Sequence, residues 1–297
     1  MSTSHAPGTV VVGVDATPAS RLALAWAADE AALRHLPLHV VLAVDAPGLE
    51  GGSAVLAALW TSWGPAIRTA HATVLEEARD FVAGRHPRLS AAAELADGAP
   101  AAVLRARAPG SAMVVVGSRH RDIVRDLLSR ESVGMPLVTH APCPIVVVRE
   151  PELGPQTQLH VVVGVDGSAV SREAVRFAFE EAAFRDAHLT AVSAWQPPHP
   201  RGFSSQDVED EVRRVLAEST AGWQEKHPQV ELRHAVIRGH PVRVLSDAAE
   251  WPALLVAGSR GPGGFSGLVL GSVSQGLMHH GLCPLVIVPH PAEDAAT

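Results

Sequence analysis

The residues best suited to chemistry lie in a glycine-spaced loop near the end of the chain. Gly258-Ser-Arg-Gly261 is followed by nine residues and then Gly271-Ser272, where a helix is predicted over Val273–His280. Without a Cβ at 258 and 261 the backbone can turn tightly and come close to a ligand. At Gly271 and Ser272 the unpaired N–H groups of a helix start, with its dipole, favour an anion. Ser272 and Ser274 add hydroxyl donors, and successive amides at such a turn form a nest that holds phosphates without a lysine. Lys226 is the only lysine of the chain and sits far from these glycines. A Walker A loop needs a lysine beside its glycines, so a P-loop NTPase is excluded.

A second chemical element is Asp166-Gly-Ser168, at the end of the apolar run Val161-Val-Val-Gly-Val165. In a doubly wound sheet, ligands bind beyond the carboxyl ends of the strands where the winding reverses. If the strands before Asp166 and Gly258 are neighbours there, both loops face one crevice. A single carboxylate among backbone donors suits holding a nucleotide better than moving a proton or keeping a metal.

These loops belong to a repeat. Val10-Val-Val-Gly-Val-Asp15 reappears as Val161-Val-Val-Gly-Val-Asp166, and Ala112-Met-Val-Val-Val-Gly-Ser-Arg119 as Ala253-Leu-Leu-Val-Ala-Gly-Ser-Arg260. Pro142-Cys-Pro-Ile-Val-Val-Val148 is echoed by Leu282-Cys-Pro-Leu-Val-Ile-Val288. Three blocks in one order at similar spacing predict two tandem domains, 1–150 and 158–292, joined by the polar Pro/Gly-containing stretch Glu150–Thr157. At 297 residues the chain is long enough for two such units.

Within each half, β-branched apolar runs such as Val10–Val14 and Val161–Val165 read as strands buried on both faces. Leu38–Val44 and Leu189–Trp195 read as second strands. Val175, Phe179 and Ala183 recur every four residues, which predicts an amphipathic helix. Val103–Arg107 and Val242–Ala249 read as short helices. The alternation predicts α/β domains with a parallel sheet, helices on both faces and right-handed crossovers. Ala46–Trp63 and Gln196–Gln206 are the least regular stretches. Trp60 and Trp63 are read as packing a loop or helix over the sheet rather than as anchors for a partner.

Composition narrows the function. Hydrophobic residues make up 47%, enough for sizeable cores, and the net charge of −7 argues against gripping a nucleic-acid backbone. No run approaches the ~20 apolar residues of a membrane span, and the N-terminal residues lack a signal-peptide pattern, so a cytoplasmic protein is expected. Sixteen histidines show no HExxH or CxxC–HxxxH spacing, so no metal site is expected. Cys143 and Cys283 stand at equivalent places before the last strands and read as small buried side chains rather than nucleophiles.

Gly-x2-Gly-x9-Gly-Ser after the fourth strand, with Val-Gly-Val-Asp-Gly-Ser at the first, resembles the ATP-binding branch of the universal stress protein family. The resemblance covers nearly the whole chain twice. It implies two tandem Rossmann-like domains of the adenine nucleotide alpha hydrolase type, each a five-stranded parallel sheet in order 3-2-1-4-5. It further implies ATP, with Mg2+, as the ligand. Gly164, Asp166 and Ala194 would lie around adenine and ribose. Gly258, Gly261, Gly271, Ser272 and Val273 would line the phosphates, with Ser259, Arg260 and Ser274 beside them. Paired domains of the family join through their last strands, so Ile145–Val148 and Leu285–Val288 are expected to make the two halves an internal pseudo-dimer. A homodimer and a protein partner fit the same pattern; nucleic acid and membrane do not.

The first copy departs from this motif. Gly13, Asp15, Ala43, Gly117, Ser118, Arg119 and Ser132 would form a degenerate site, but His120 replaces the second glycine. In one register Glu131 takes the place of Gly271; in the other Arg130 stands there and Glu131 falls on the serine. A glutamate ~4 Å from a phosphate repels it by about 4 kcal/mol at an effective dielectric near 20. Arg119, Arg121, Arg125 and Arg130 around the loop would suit a different anion or a solvated basic helix face.

The expected function is a nucleotide-responsive stress regulator that binds ATP in its second domain. A slow ATPase is the enzymatic alternative, with the nest stabilising charge but no base fixed by the sequence. An interaction module with empty sites is the third reading.

Overall fold

Valine runs set the two sheets. The computed structural model describes residues 8–45, 54–118, 133–149, 160–197, 204–249, 253–261, 270–280 and 283–290. The chain divides into two compact units, Met1–Glu150 and Pro151–Thr297. In the first, β1 (Val10–Gly13), β2 (Leu38–Val44), β3 (Ala91–Asp97), β4 (Met113–Ser118) and β5 (Ile145–Arg149) alternate with α1 (Pro18–Leu33), α2 (Ala54–Arg85), α3 (Pro100–Arg107) and α4 (Gly134–His140). In the second, β6 (His160–Gly164), β7 (His188–Trp195), β8 (Leu232–Arg238), β9 (Ala253–Gly258) and β10 (Leu285–Val288) alternate with α5 (Ala169–Arg185), α6 (Ser205–Thr220), the short α7 (Trp223–Lys226), α8 (Pro241–Ala248) and α9 (Ser272–His280).

All pairings within a unit are parallel, and each unit has the strand order 3-2-1-4-5, here β3-β2-β1-β4-β5 and β8-β7-β6-β9-β10. Parallel strands need crossovers, and covering helices bury both faces. Val161, Val162 and Val163 are accordingly fully buried, as are Val10, Val11 and Val12. In the second unit β6 pairs with β7 on one side and β9 on the other, Val162 standing opposite Thr190 and Leu255. The winding therefore reverses between β6 and β9. That places the chain leaving β6 beside the chain leaving β9.

Local residues set the helix starts. Thr17 and Ser168 cap α1 and α5, each side chain accepting the N–H three residues on, and Pro18, Pro100 and Pro241 occupy first-turn positions where no donor is lost. Ser204 and Asp207 form a capping box for α6. The inner faces of α1 and α5 are rich in alanine (Ala23, Ala27, Ala174, Ala178), which brings these helices close to the sheet. Near the end of both helices a buried glutamate, Glu30 or Glu181, pairs with the arginine four residues on, Arg34 or Arg185.

One expectation needs correction. Part of Ala46–Trp63, read as irregular, is helical from Ala54 onward, and Trp63 is 62% exposed instead of packing over the sheet. Residues 46–53 lie outside the described residues. Cys143 and Cys283 are both buried, and burial pushes the Cys143 thiol up to about 12, well away from thiolate chemistry.

Candidate functional site

β6 ends at Gly164, where a Cβ would lie 3.0 Å from Cδ1 of Leu245 on α8. The ladder continues one residue further, since the Val165 N–H donates to the Val192 carbonyl at 2.9 Å. The chain then turns at Gly167, whose φ of +80° is a left-handed conformation that a side chain would strain. A Cβ there would also strike Val215 of α6 at 2.7 Å. Asp166 Oδ1 accepts the Ser168 N–H at 2.9 Å, so the aspartate is held just before α5 begins.

β9 delivers the second loop. Gly258 packs against Val170 of α5, where a Cβ would lie 2.9 Å from Cγ1. The Ser259 N–H donates to Val288 of β10 at 2.8 Å, and the Gly271 N–H returns to the Ser259 carbonyl at 2.8 Å. The Ser274 hydroxyl donates to the Gly258 carbonyl at 2.6 Å. The last two bonds dock the start of α9 onto the end of β9, and the first continues the ladder to β10. Gly271 accepts the Gln275 N–H and so sits just outside the helix, leaving the amides of Ser272, Val273 and Ser274 without partners inside it.

The two loops enclose one cavity of about 540 Å3, within the range of small-molecule sites. Its wall toward α8 is apolar, from Leu245 and Pro241 with Val192 and Ala194 of β7. The first turn of α9, Ser272–Ser274, also lines the cavity, with Gly258, Arg260, Gly261 and Gly271. Asp166 and Gly164 line it as well. Arg260 Nε is buried and finds no hydrogen-bond partner among the described residues. A buried donor left unpaired costs about 1–3 kcal/mol, more when charged.

Ten of the eleven residues expected in this site line the cavity. Ser259 does not: it is buried, its amide and carbonyl spent on Val288 and Gly271. Sequence reasoning missed Val165, Ser171, Val192, Ala257 and Leu270, which neighbour the motif residues, and the α8 pair Pro241 and Leu245. A signal for that pair was present. Gly98-Ala-Pro-Ala-Ala-Val-Leu104 and Gly239-His-Pro-Val-Arg-Val-Leu245 repeat one pattern, and Leu104 stands 2.7 Å from where a Cβ on Gly13 would be, as Leu245 stands near Gly164.

The first unit is built differently at the same point. Asp15 Oδ1 accepts both the N–H and the hydroxyl of Thr17, and the Asp15 N–H donates to Ser20 Oγ at 2.8 Å. Ala16 stands where the second unit has Gly167. Gly117 is pressed so closely on α1 that a Cβ would lie 2.6 Å from the Ala19 carbonyl carbon. Asp15 lines a cavity of about 300 Å3 between α1 and α2, with Ala16, Leu24, Val74 and Phe81. Gly13, Ala43, Gly117 and Ser118 do not line that cavity. Arg119 and Ser132, with His120, Arg121, Arg125, Arg130 and Glu131, lie outside the described residues.

A twice-repeated, doubly wound α/β unit with a glycine loop at its switch point defines a class of nucleotide-type folds. Sequence comparison identifies the family within it. The sequence model described as "Universal stress protein family" matches residues 8–149 and again 159–289. The chain belongs to the universal stress protein family, in tandem form. Universal stress protein Rv2005c of Mycobacterium tuberculosis is 35% identical over 285 residues, covering 94% of this chain and 96% of the relative. Universal stress protein Rv1996 of the same organism is 32% identical over 312 residues, covering 96% of each. A crystal structure of a universal stress protein from Archaeoglobus fulgidus shares the fold with a TM-score of 0.65 at 14% identity, covering 96% of this chain and 97% of that one. Among the described residues no helix is long and apolar enough to cross a membrane.

Proposed function

We propose that the second unit binds an adenine nucleotide, ATP in the first instance, and that occupancy of this site is the signal through which the protein acts in a stress response. The observation that carries the reading is the shared cavity. One face is apolar and lies against β7 and α8, suited to a planar base. The other presents helix-start amides and the half-buried Arg260, suited to phosphates.

The residues present fit that ligand. Leu245, Val192 and Ala194 would take the base, Asp166 would accept ribose hydroxyls, and Ser272–Ser274 with Arg260 would hold the phosphate chain. Gly261 and Gly271 leave room that a Cβ would fill, 2.7 Å from Asp166 Oδ2 and 3.3 Å from the Arg260 Cα respectively. Magnesium would arrive with the phosphates, since among the described residues no group of three His, Cys, Asp or Glu could hold a metal. The role argued for is binding and signalling. The first unit takes no adenine nucleotide in this reading, because His120 and Glu131 break the motif.

Mass spectrometry of nucleotide released from purified protein, with titration of wild type and Gly271→Glu, tests the reading. About one adenine nucleotide per chain, lost in the variant, supports it. Absence of titratable binding would sink it; two nucleotides per chain would sink the assignment of the first unit.

A further inference from the structure

We infer that Gly276 is a positioning residue which, through its contact with Val242, sets how far apart the two walls of the second-unit cavity stand. The inference rests on the nucleotide reading above and assigns a part of that site that touches no ligand.

Gly276 lies on α9, three residues after Val273 and four after Ser272, so it shares their face of the helix one turn further on. Val242 lies on α8, next to Pro241 and three residues before Leu245. On α9 the contact lies one turn beyond the cavity-lining Ser272 and Val273; on α8 it lies between Pro241 and Leu245, which line the cavity themselves. A Cβ on Gly276 would lie 2.5 Å from Val242 Cγ2, 3.2 Å from Cγ1 and 3.4 Å from Cβ. Separations this short cannot be relieved by a side-chain swing, because a β-branched valine has essentially one rotamer in a helix. The two helices would have to part.

Neither helix can move without cost to the site. α8 is backed by the sheet, with Leu245 against Gly164. α9 is tied to β9 through Ser274 to Gly258 and Gly271 to Ser259. Displacing α9 therefore carries the amides of Ser272 and Val273 away from Arg260 and Gly258, while Leu245, Val192 and Ala194 keep their places. The wall for phosphates shifts and the wall for the base does not. The first unit, whose motif is broken, has Ala101 at the position matching Val242 and Pro136 at that matching Gly276. The glycine–valine contact belongs to the unit with the intact motif.

The test is calorimetric titration of wild type, Gly276→Ala and the double variant Gly276→Ala/Val242→Ala with ATP and with adenosine. Gly276→Ala should weaken ATP by about tenfold or more and adenosine by no more than about twofold, and the double variant should recover most of the ATP affinity. Equal loss of both ligands, or no loss of either, would overturn the inference and leave the nucleotide reading standing. Wild-type protein that binds neither ligand would overturn both. If Gly276→Ala alone does not fold, the double variant carries the test. ATP affinity near that of wild type supports the inference, and a selective ATP loss there overturns it.

Discussion

A Cβ on Gly261 would lie 2.7 Å from Oδ2 of Asp166, so the loops that follow β9 and β6 meet at a point where only a glycine fits. The aspartate cannot simply turn away, because its Oδ1 holds the Ser168 N–H at the start of α5. Gly261→Ala is expected to displace the carboxylate or the loop and weaken ATP binding by about tenfold or more. Gly84→Ala is the control. Gly84 is in α2 with nothing within 4 Å of a new Cβ, so it should leave binding unchanged and raise stability by about 0.5–1 kcal/mol. Equal binding by Gly261→Ala and wild type would remove the steric argument.

Arg260 separates stability from binding. Its Nε is a buried donor without a partner among the described residues, a cost that replacement by alanine removes. Arg260→Ala should therefore melt no lower than wild type without ligand, yet show a much smaller rise in Tm on adding ATP. A variant that melts lower without ligand, with its ATP-dependent rise intact, would mean that the side chain supports structure instead.

The core beneath the site makes a simpler prediction. Leu255 is fully buried on β9, between Val162 of β6 and Leu285 of β10. Leu255→Ala should cost about 2–5 kcal/mol from lost transfer energy and the cavity left behind. Urea denaturation followed by circular dichroism measures it, and a loss under about 1 kcal/mol would mean that the strands close over the gap.

Much of this arrangement was legible in the sequence, and the exceptions have physical causes. The valine strands and the glycine loop announce themselves because both depend on local residue type. Ten of the expected residues line the cavity, Gly164 and Ala194 among them having been expected only from the family resemblance. Ser259 does not line the cavity: a motif shows which residues are small or polar but not which amides the sheet consumes, and β10 takes that one. Leu245 was missed because its role depends on the absence of a side chain at Gly164, a relation between residues far apart in the chain. The start of α2 falls in Ala46–Trp63, which differs in sequence from the matching stretch of the other half and was read as irregular. The helix continues through Pro65, with Trp60 covering Gly64: a Cβ there would lie 3.3 Å from the indole Cε2.

The opposite end of the sheet from the site predicts a pH response. His160 and His188 open β6 and β7, face each other in register, and stack with ring centroids 5.2 Å apart and planes 5° from parallel. Burial lowers the pKa of His188 below its ordinary 6.5, Arg233 and His160 lower it further, and Glu231 opposes them. The folded protein then binds fewer protons than the unfolded chain once the pH drops below 6.5. The stability contributed by neutral His188 is fully present above that value and is lost as the pH falls through the lowered folded pKa. The urea midpoint of the second unit should therefore decline between about pH 7 and pH 5, and His188→Gln should flatten the decline. Burial also lowers the pKa of His234, whose Nε2 lies 2.9 Å from Thr220 Oγ1, so part of the slope should survive that substitution. An unchanged slope in His188→Gln would assign the whole response to other groups and leave the stacked pair without a role in it.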